Sequence, residues 1–335
     1  MVKIAVLDDY VSNAATSADW SELSSEASVD FFHDPLSEAE AASRLKDYEV
    51  IVTMRERMSF PAALLRQLTN TKLIMCNGRN TLLDQKTATE MGIRVANSAG
   101  APPGAAAAPA ATPGAVSPGI AGGPTGELTW GLILATTRHL VEEVNSFRSG
   151  GWITHSGPGL YGKTIGLVGL GRIGGGVARI AHGFGMNVIA WSQNLTEERA
   201  TEAGARLVTK DELFRQADIV SIHLVLSDRS RGIIGANELS LMKPTSYLIN
   251  TSRGPLVDEQ ALIDTLKNRR IAGAGMDVFH REPLPADHPF RSMDNVVATP
   301  HIGYGTDEAY VGFHRGNIRT IKAYLAGEEL QEFTA

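Results

Sequence analysis

The chain has 335 residues, 43% hydrophobic and 20% charged, enough for two cores and too balanced for a collagenous, disordered or coiled-coil protein. Its 31 Lys and Arg against 37 Asp and Glu leave a net charge of −6, with no basic surplus for a nucleic-acid backbone. A single cysteine, Cys76, excludes an intrachain disulfide and a multi-cysteine zinc site. The opening Met1-Val2-Lys3 soon reaches Asp8 and Asp9, and apolar stretches such as 128–135 are too short to span a bilayer. A cytoplasmic protein with no nucleic-acid, membrane or metal partner is the expectation.

Short β-branched runs alternate with helical patterns from the first residues. Strands are predicted at 2–7, 29–32, 50–53 and 73–76, with a fifth at 93–96. Ser37 with Glu40 three residues on has capping-box spacing for one helix, and Pro61 opens another. Strands alternating with helices imply right-handed crossovers and a parallel sheet covered on both faces. Residues 99–126 break this pattern, being almost wholly Ala, Gly and Pro without a charge. Such a segment offers no anchors for a core and predicts a linker or loop at a domain boundary. A long helix is predicted from 127 to about 148. A second α/β series follows, with strands at 164–169, 187–191, 218–223, 246–250, 271–276 and 296–299. A helix at 258–268 and a closing helix from about 306 to 326 complete the chain.

Gly169-Leu170-Gly171-Arg172-Ile173-Gly174 matches the G-x-G-x-x-G pattern, directly after the apolar run 164–168 and before the helical 177–180. In a dinucleotide site the first glycine makes the tight turn and the second lets the backbone, here through Arg172 and Ile173, approach a pyrophosphate. The third allows close helix–strand packing. An acidic residue is expected some 20 positions on, to bond the ribose of NAD. Here the strand ends in Trp191-Ser192-Gln193, so Ser192 and Gln193 take that place and the choice between NAD and NADP stays open. Residues 157–164 also fit G-x-x-x-x-G-K-[ST], but that phosphate loop must lead into a helix and this one leads into a predicted strand.

Open α/β sheets bind ligands at the carboxyl ends of their strands. Three polar residues follow successive strands there: Arg253 after 246–250, Glu282 after 271–276 and His301 after 296–299. A guanidinium, a carboxylate and an imidazole make a carboxylate clamp, an orienter and a proton carrier.

With 164–174, Met242-Lys243-Pro244, Asn250-Thr251-Ser252-Arg253-Gly254, Asp277-Val278-Phe279, Glu282-Pro283 and Thr299-Pro300-His301, the chain resembles the NAD(P)-dependent D-isomer-specific 2-hydroxyacid dehydrogenases. The resemblance implies an α/β fold: a Rossmann-type doubly wound parallel sheet plus a second, flavodoxin-like α/β lobe, with a cleft between them. Residues 1–98 with 302–335 would form the substrate domain and 127–301 the dinucleotide-binding domain. It further implies an oxidoreductase for a D-2-hydroxy acid/2-oxo acid pair of glyoxylate or hydroxypyruvate type, using NAD, with NADP possible, and a homodimer. Arg253 would bind the substrate's carboxylate and carbonyl, His301 would be the acid/base, and Glu282 would hold it. Thr251, Ser252 and Asp277 would meet the nicotinamide, while Arg55, Gly78 and Arg79 would meet the substrate carboxylate. The chain departs from the family pattern in the composition of 99–126 and at Ser192. A D-3-phosphoglycerate dehydrogenase and a non-catalytic dinucleotide sensor are the alternative expectations.

Overall fold

The computed structural model describes residues 1–78, 80–98 and 121–330. They divide into two compact units: the described residues of Met1–Pro109 with those of Thr306–Ala335, and the described residues of Ala110–Gly305.

The first unit holds β1 (Val2–Val6), β2 (Ala27–Phe31), β3 (Val50–Met54), β4 (Leu73–Asn77) and β5 (Arg94–Asn97). All are parallel in the order β2-β1-β3-β4-β5, the flavodoxin-like arrangement, whose strand order reverses between β1 and β3. The central β3 and β4 are buried throughout, so they read as near-continuous apolar runs. Ala5, Leu7, Ile51, Ile74 and Cys76 pack against Leu64, Leu65 and Leu68 on one face. Ile4, Val6, Val50, Val52, Leu73 and Met75 pack on the other, against Ile318 and Ile321 of the terminal helix Asp307–Leu325. The capping box forms as the spacing predicts: Glu40 N donates to Ser37 Oγ at 3.3 Å and Ser37 N to Glu40 Oε2 at 2.8 Å.

The terminal helix also carries His314, 2% exposed beside Trp20 and Tyr310. Burial lowers its pKa to about 4, against a partial pull upward from Asp9. Its folded pKa thus lies below its unfolded value near 6.5, so the stability of the neutral form is complete above that value and is lost as pH falls toward 4. Asp8, raised to about 6 by burial, acts in the opposite sense over a similar window. Comparing the wild type with His314→Gln isolates the histidine. The variant should lose up to about 1.4 kcal/mol less stability per pH unit between pH 6 and 4.5, as measured by urea unfolding at each pH.

The second unit holds β6 (Thr164–Val168), β7 (Asn187–Trp191), β8 (Arg206–Leu207), β9 (Ile219–Ile222), β10 (Tyr247–Asn250), β11 (Gly273–Met276) and β12 (Val296–Ala298). All are parallel in the order β12-β11-β10-β9-β6-β7-β8, a doubly wound sheet that switches direction between β6 and β9. β8 is unpredicted because two residues are too few to show a period.

Two expectations need correction. The helix expected from 127 begins at Pro124, inside the segment that composition marks as linker; Gly123, at φ +87, precedes a proline suited to the first helical turn. That helix is also not continuous. It ends at Thr137, and after His139 in left-handed conformation a second helix runs from Leu140 to Arg148. The second unit runs to Gly305, with Ile302 N and Gly303 N donating to Asp277. Residues 99–120 lie outside the described residues.

The second glycine-lysine motif leads into β6, so no helix start faces a phosphate there. A Cβ at Gly157 would lie 1.8 Å from the Thr137 carbonyl oxygen, which gives that glycine a packing reason. Among the described residues no helix is long and apolar enough to cross a membrane, and no group of three or more His, Cys, Asp or Glu could hold a metal.

Candidate active site

β6 delivers the chain to Gly169 at φ +101, a left-handed conformation that glycine adopts without strain, and the helix Arg172–Gly183 begins at once. The three glycines answer to different constraints. A Cβ at Gly169 would meet the His223 carbonyl oxygen at 2.6 Å, and one at Gly174 the Gly169 oxygen at 2.2 Å. At Gly171, the N-cap of the helix, an added Cβ meets no atom within 4 Å. The first and third glycines are therefore demanded by the protein's own backbone. The second leaves open space before a helix N-terminus, where main-chain N–H groups and the helix dipole favour an anion. These residues fit a dinucleotide pyrophosphate.

A second helix start lies against the same turn. A Cβ at Gly122 would meet Ile173 Cα at 2.7 Å, one at Gly176 would meet Gly122 N at 2.2 Å, and Arg172 Nη1 donates to Gly122 O at 3.1 Å. Ser192 and Gln193 follow β7, the strand beside β6, with Ser192 half-buried and Gln193 exposed.

Arg253, Glu282 and His301 follow β10, β11 and β12, which are neighbours in the sheet. The loop after β10 is braced at every residue. Thr251 Oγ1 lies 2.8 Å from Thr129 Oγ1, Ser252 Oγ donates to Ile222 O at 2.8 Å, and Asn250 Nδ2 donates to Arg253 O at 3.0 Å. Arg253 itself is half-buried, with Nη1 donating to Ser252 O at 2.7 Å.

The closest contact joins the other two. His301 Nδ1 lies 2.5 Å from Glu282 Oε2, while Glu282 Oε1 accepts from Phe279 N at 2.8 Å. The two side chains are only 16% and 26% exposed, so the pair is partly withdrawn from water. The carboxylate engages the imidazole at Nδ1, so any proton exchange by this ring would fall to Nε2.

Asp277 is 1% exposed at the end of β11. Burial raises its pKa, against the hydrogen bonds that it accepts and the charge of His301. The resemblance sends this residue to the nicotinamide; the structure turns its oxygens to the segment that carries His301. In the first unit Arg55, at φ +52 after β3, lies beside Gly78 after β4: a Cβ there would be 3.3 Å from Arg55 Nη1. Arg79 is outside the described residues.

Two site residues are missing from the expectations. His223 directly follows β9 at the switch point beneath Gly169, with Nε2 2.9 Å from Ser221 Oγ, and burial lowers its pKa to about 4. The strand-end argument that selects His301 applies equally to it. Thr299, which donates to Asp277, stands in the Thr299-Pro300-His301 segment but has no role assigned to it there.

The switch-point sheet, the glycine turn and the half-buried histidine–carboxylate pair define a dinucleotide-binding α/β protein equipped for acid–base chemistry. Residues 130–303 match the family model of the D-isomer specific 2-hydroxyacid dehydrogenase, NAD binding domain. The chain belongs to that family, and its dinucleotide is NAD by the family's description. It is 36% identical to a D-3-phosphoglycerate dehydrogenase of Methanocaldococcus jannaschii over 88% of this chain and 53% of that one. To a glyoxylate reductase of Aeropyrum pernix it is 38% identical over 75% of this chain and 69% of that one. A crystal structure of a phosphoglycerate oxidoreductase from Vibrio cholerae superposes with a TM-score of 0.86 at 32% identity, covering 98% of this chain and 100% of that one. The chain thus spans about half the length of the phosphoglycerate dehydrogenase and about two thirds of the glyoxylate reductase.

Proposed function

We propose that the protein interconverts a D-2-hydroxy acid and its 2-oxo acid, of glyoxylate or hydroxypyruvate type. The observation that carries this reading is the 2.5 Å contact between His301 and Glu282, two strands beyond the switch point of an NAD-binding sheet. A bound nicotinamide dinucleotide supplies or accepts the hydride. Gly169, Gly171, Arg172, Ile173 and Gly174 hold its pyrophosphate, Ser192 and Gln193 its ribose, and Thr251 and Ser252 its nicotinamide end. Arg253 holds the substrate's carboxylate and polarises its carbonyl. His301 gives a proton from Nε2 to the nascent alkoxide in reduction and removes it in oxidation, while Glu282 keeps the ring in place and stabilises its charged form. Arg55, Gly78 and Arg79 are assigned to the substrate carboxylate. The first unit is thereby the substrate domain and the second the cofactor domain.

The relatives support a second substrate. Arg55 and Arg57 both follow β3, and that basic pair would suit a phosphorylated acid such as D-3-phosphoglycerate. Assays of glyoxylate, hydroxypyruvate and 3-phosphohydroxypyruvate with NADH and NADPH separate these readings. No turnover with any of them, alongside measurable NADH binding, would point to a dinucleotide sensor instead.

Coenzyme choice enters the same assays. Ser192 offers neither a carboxylate that repels a 2′-phosphate nor a cation that attracts one. Wild-type protein should therefore discriminate weakly, and Ser192→Asp should raise the NADH to NADPH ratio of kcat/KM by ~10-fold or more, the size of one charge contact. An unchanged ratio would mean that the ribose is read elsewhere.

The protein is assigned as a homodimer. The helix Leu140–Arg148 buries none of its residues, and Leu140, Val144, Phe147, Trp152 and Ile153 are exposed together, as a face for a second copy would be. The single, buried Cys76 favours a cytoplasmic location.

A further inference from the structure

His301 stands at φ +54, a backbone conformation that a side chain with a Cβ rarely adopts. Such a residue persists only where its surroundings hold it. Beside backbone bonds such as His301 N to Thr299 O at 3.0 Å, one carboxylate binds the chain on both sides of it. Asp277 Oδ1 accepts from Thr299 Oγ1 at 2.6 Å and from Ile302 N at 2.9 Å, and Oδ2 accepts from Gly303 N at 2.9 Å. These donors flank His301 on both sides. The Gly303 site leaves no slack, since a Cβ there would sit 2.9 Å from Asp277 Oδ2.

We propose that Asp277 is the positioning residue of His301: its carboxylate clamps Thr299, Ile302 and Gly303, holding the histidine in the left-handed conformation from which Nδ1 meets Glu282. The inference rests on His301 being the acid/base. A carboxylate has about four lone-pair positions and three are used by the clamp, so a contact with a nicotinamide would be additional to this role and would not replace it. Burying the carboxylate is costly, and three donors offset that cost only while the loop stays closed. Clamp and loop conformation are therefore one interaction. The groups facing His301 are Glu282 at Nδ1, Asp277 through its charge, and the Tyr304 ring, edge-on at 6.0 Å.

Three variants test this with glyoxylate and NADH as reactants. Asp277→Asn removes the charge and sets an amide N–H or a lone acceptor against donors on both sides. It should lower kcat by ~10²-fold, with KM for NADH changed less than ~3-fold. Its reductive pH profile should shift to lower pH, because one of the two negative charges favouring the imidazolium is gone. Thr299→Val and Gly303→Ala keep the charge and disturb the clamp alone. Each should lower kcat ~10-fold without moving the profile, and both remain informative if Asp277→Asn does not fold. His301 imidazole signals, followed by NMR during a pH titration without substrate, should shift in Asp277→Asn and not in Thr299→Val. A loss confined to KM for NADH, with kcat and the His301 titration unchanged, would overturn the clamp and make Asp277 a cofactor ligand. Near-normal turnover in His301→Ala would instead defeat the proposed function, and the NMR result would still decide whether Asp277 governs His301.

Discussion

His301→Ala is expected to lower turnover in both directions by ~10² to 10⁴, the usual worth of positioned acid–base assistance, while thermal stability falls little. The side chain is partly exposed and its strong contact is to Glu282, so its removal opens no core cavity. Glu282→Gln is the more discriminating change. Its amide oxygen can still accept from Phe279 N, which turns the amide N–H₂ toward Nδ1. That nitrogen must then accept where it had donated, so the imidazolium loses its stabilising charge and its orientation together. Turnover should fall by ~10 to 10²-fold, and both pH profiles should move to lower pH. Steady-state rates across pH 5 to 9, with thermal melts as a control, give the answer. Unmoved profiles in Glu282→Gln would break the pair as a functional unit.

The second large effect lies in the glycine turn, where two apparently equal substitutions should behave differently. Gly171→Ala places a methyl where no protein atom lies within 4 Å, at a φ of −83 that alanine tolerates. The fold should be unaffected and the melting temperature nearly unchanged, yet NADH affinity should fall by ~10-fold or more because the methyl stands where a pyrophosphate would approach the backbone. Gly174→Ala puts its methyl 2.2 Å from the Gly169 carbonyl oxygen. Backbone cannot step aside as a flexible side chain can, so the helix must lift from β6. Stability should drop by about 1–3 kcal/mol, the range for overpacking, and binding should be lost with it. Fluorescence titration with NADH beside a urea unfolding curve separates the two. Equal losses of stability in both variants would mean that Gly171 has a structural role and that the open space is no binding surface.

Much of this molecule is legible in its sequence because parallel strands buried on both faces leave near-continuous apolar runs. Val50–Met54 and Leu73–Asn77 are buried throughout, so no alternation is needed to find them. The glycine turn is legible for a related reason: its backbone needs glycine at fixed spacing, and the structure gives steric grounds at Gly169 and Gly174. The strand-end rule brings forward Arg253, Glu282 and His301, since the chemistry follows the ends of strands whose positions are already set.

What the sequence does not carry is the side of a residue that faces a distant neighbour. Asp277 and Glu282 lie five positions apart on one segment, and nothing local separates the carboxylate that meets the imidazole from the one that holds its loop. That division follows from β12 lying beside β11, which brings Thr299 and Gly303 to Asp277 and His301 to Glu282. The strand-end rule reaches His223 as well, but only the fold shows that it stands beneath Gly169, 54 residues earlier. The break at His139 needed the structure too: local propensity continues the helix, and only packing shows that the residues after it have no core to join. Local patterns thus set the elements and the types of residue at the site, whereas strand order decides which of them meet, because each contact joins segments that only the sheet brings together.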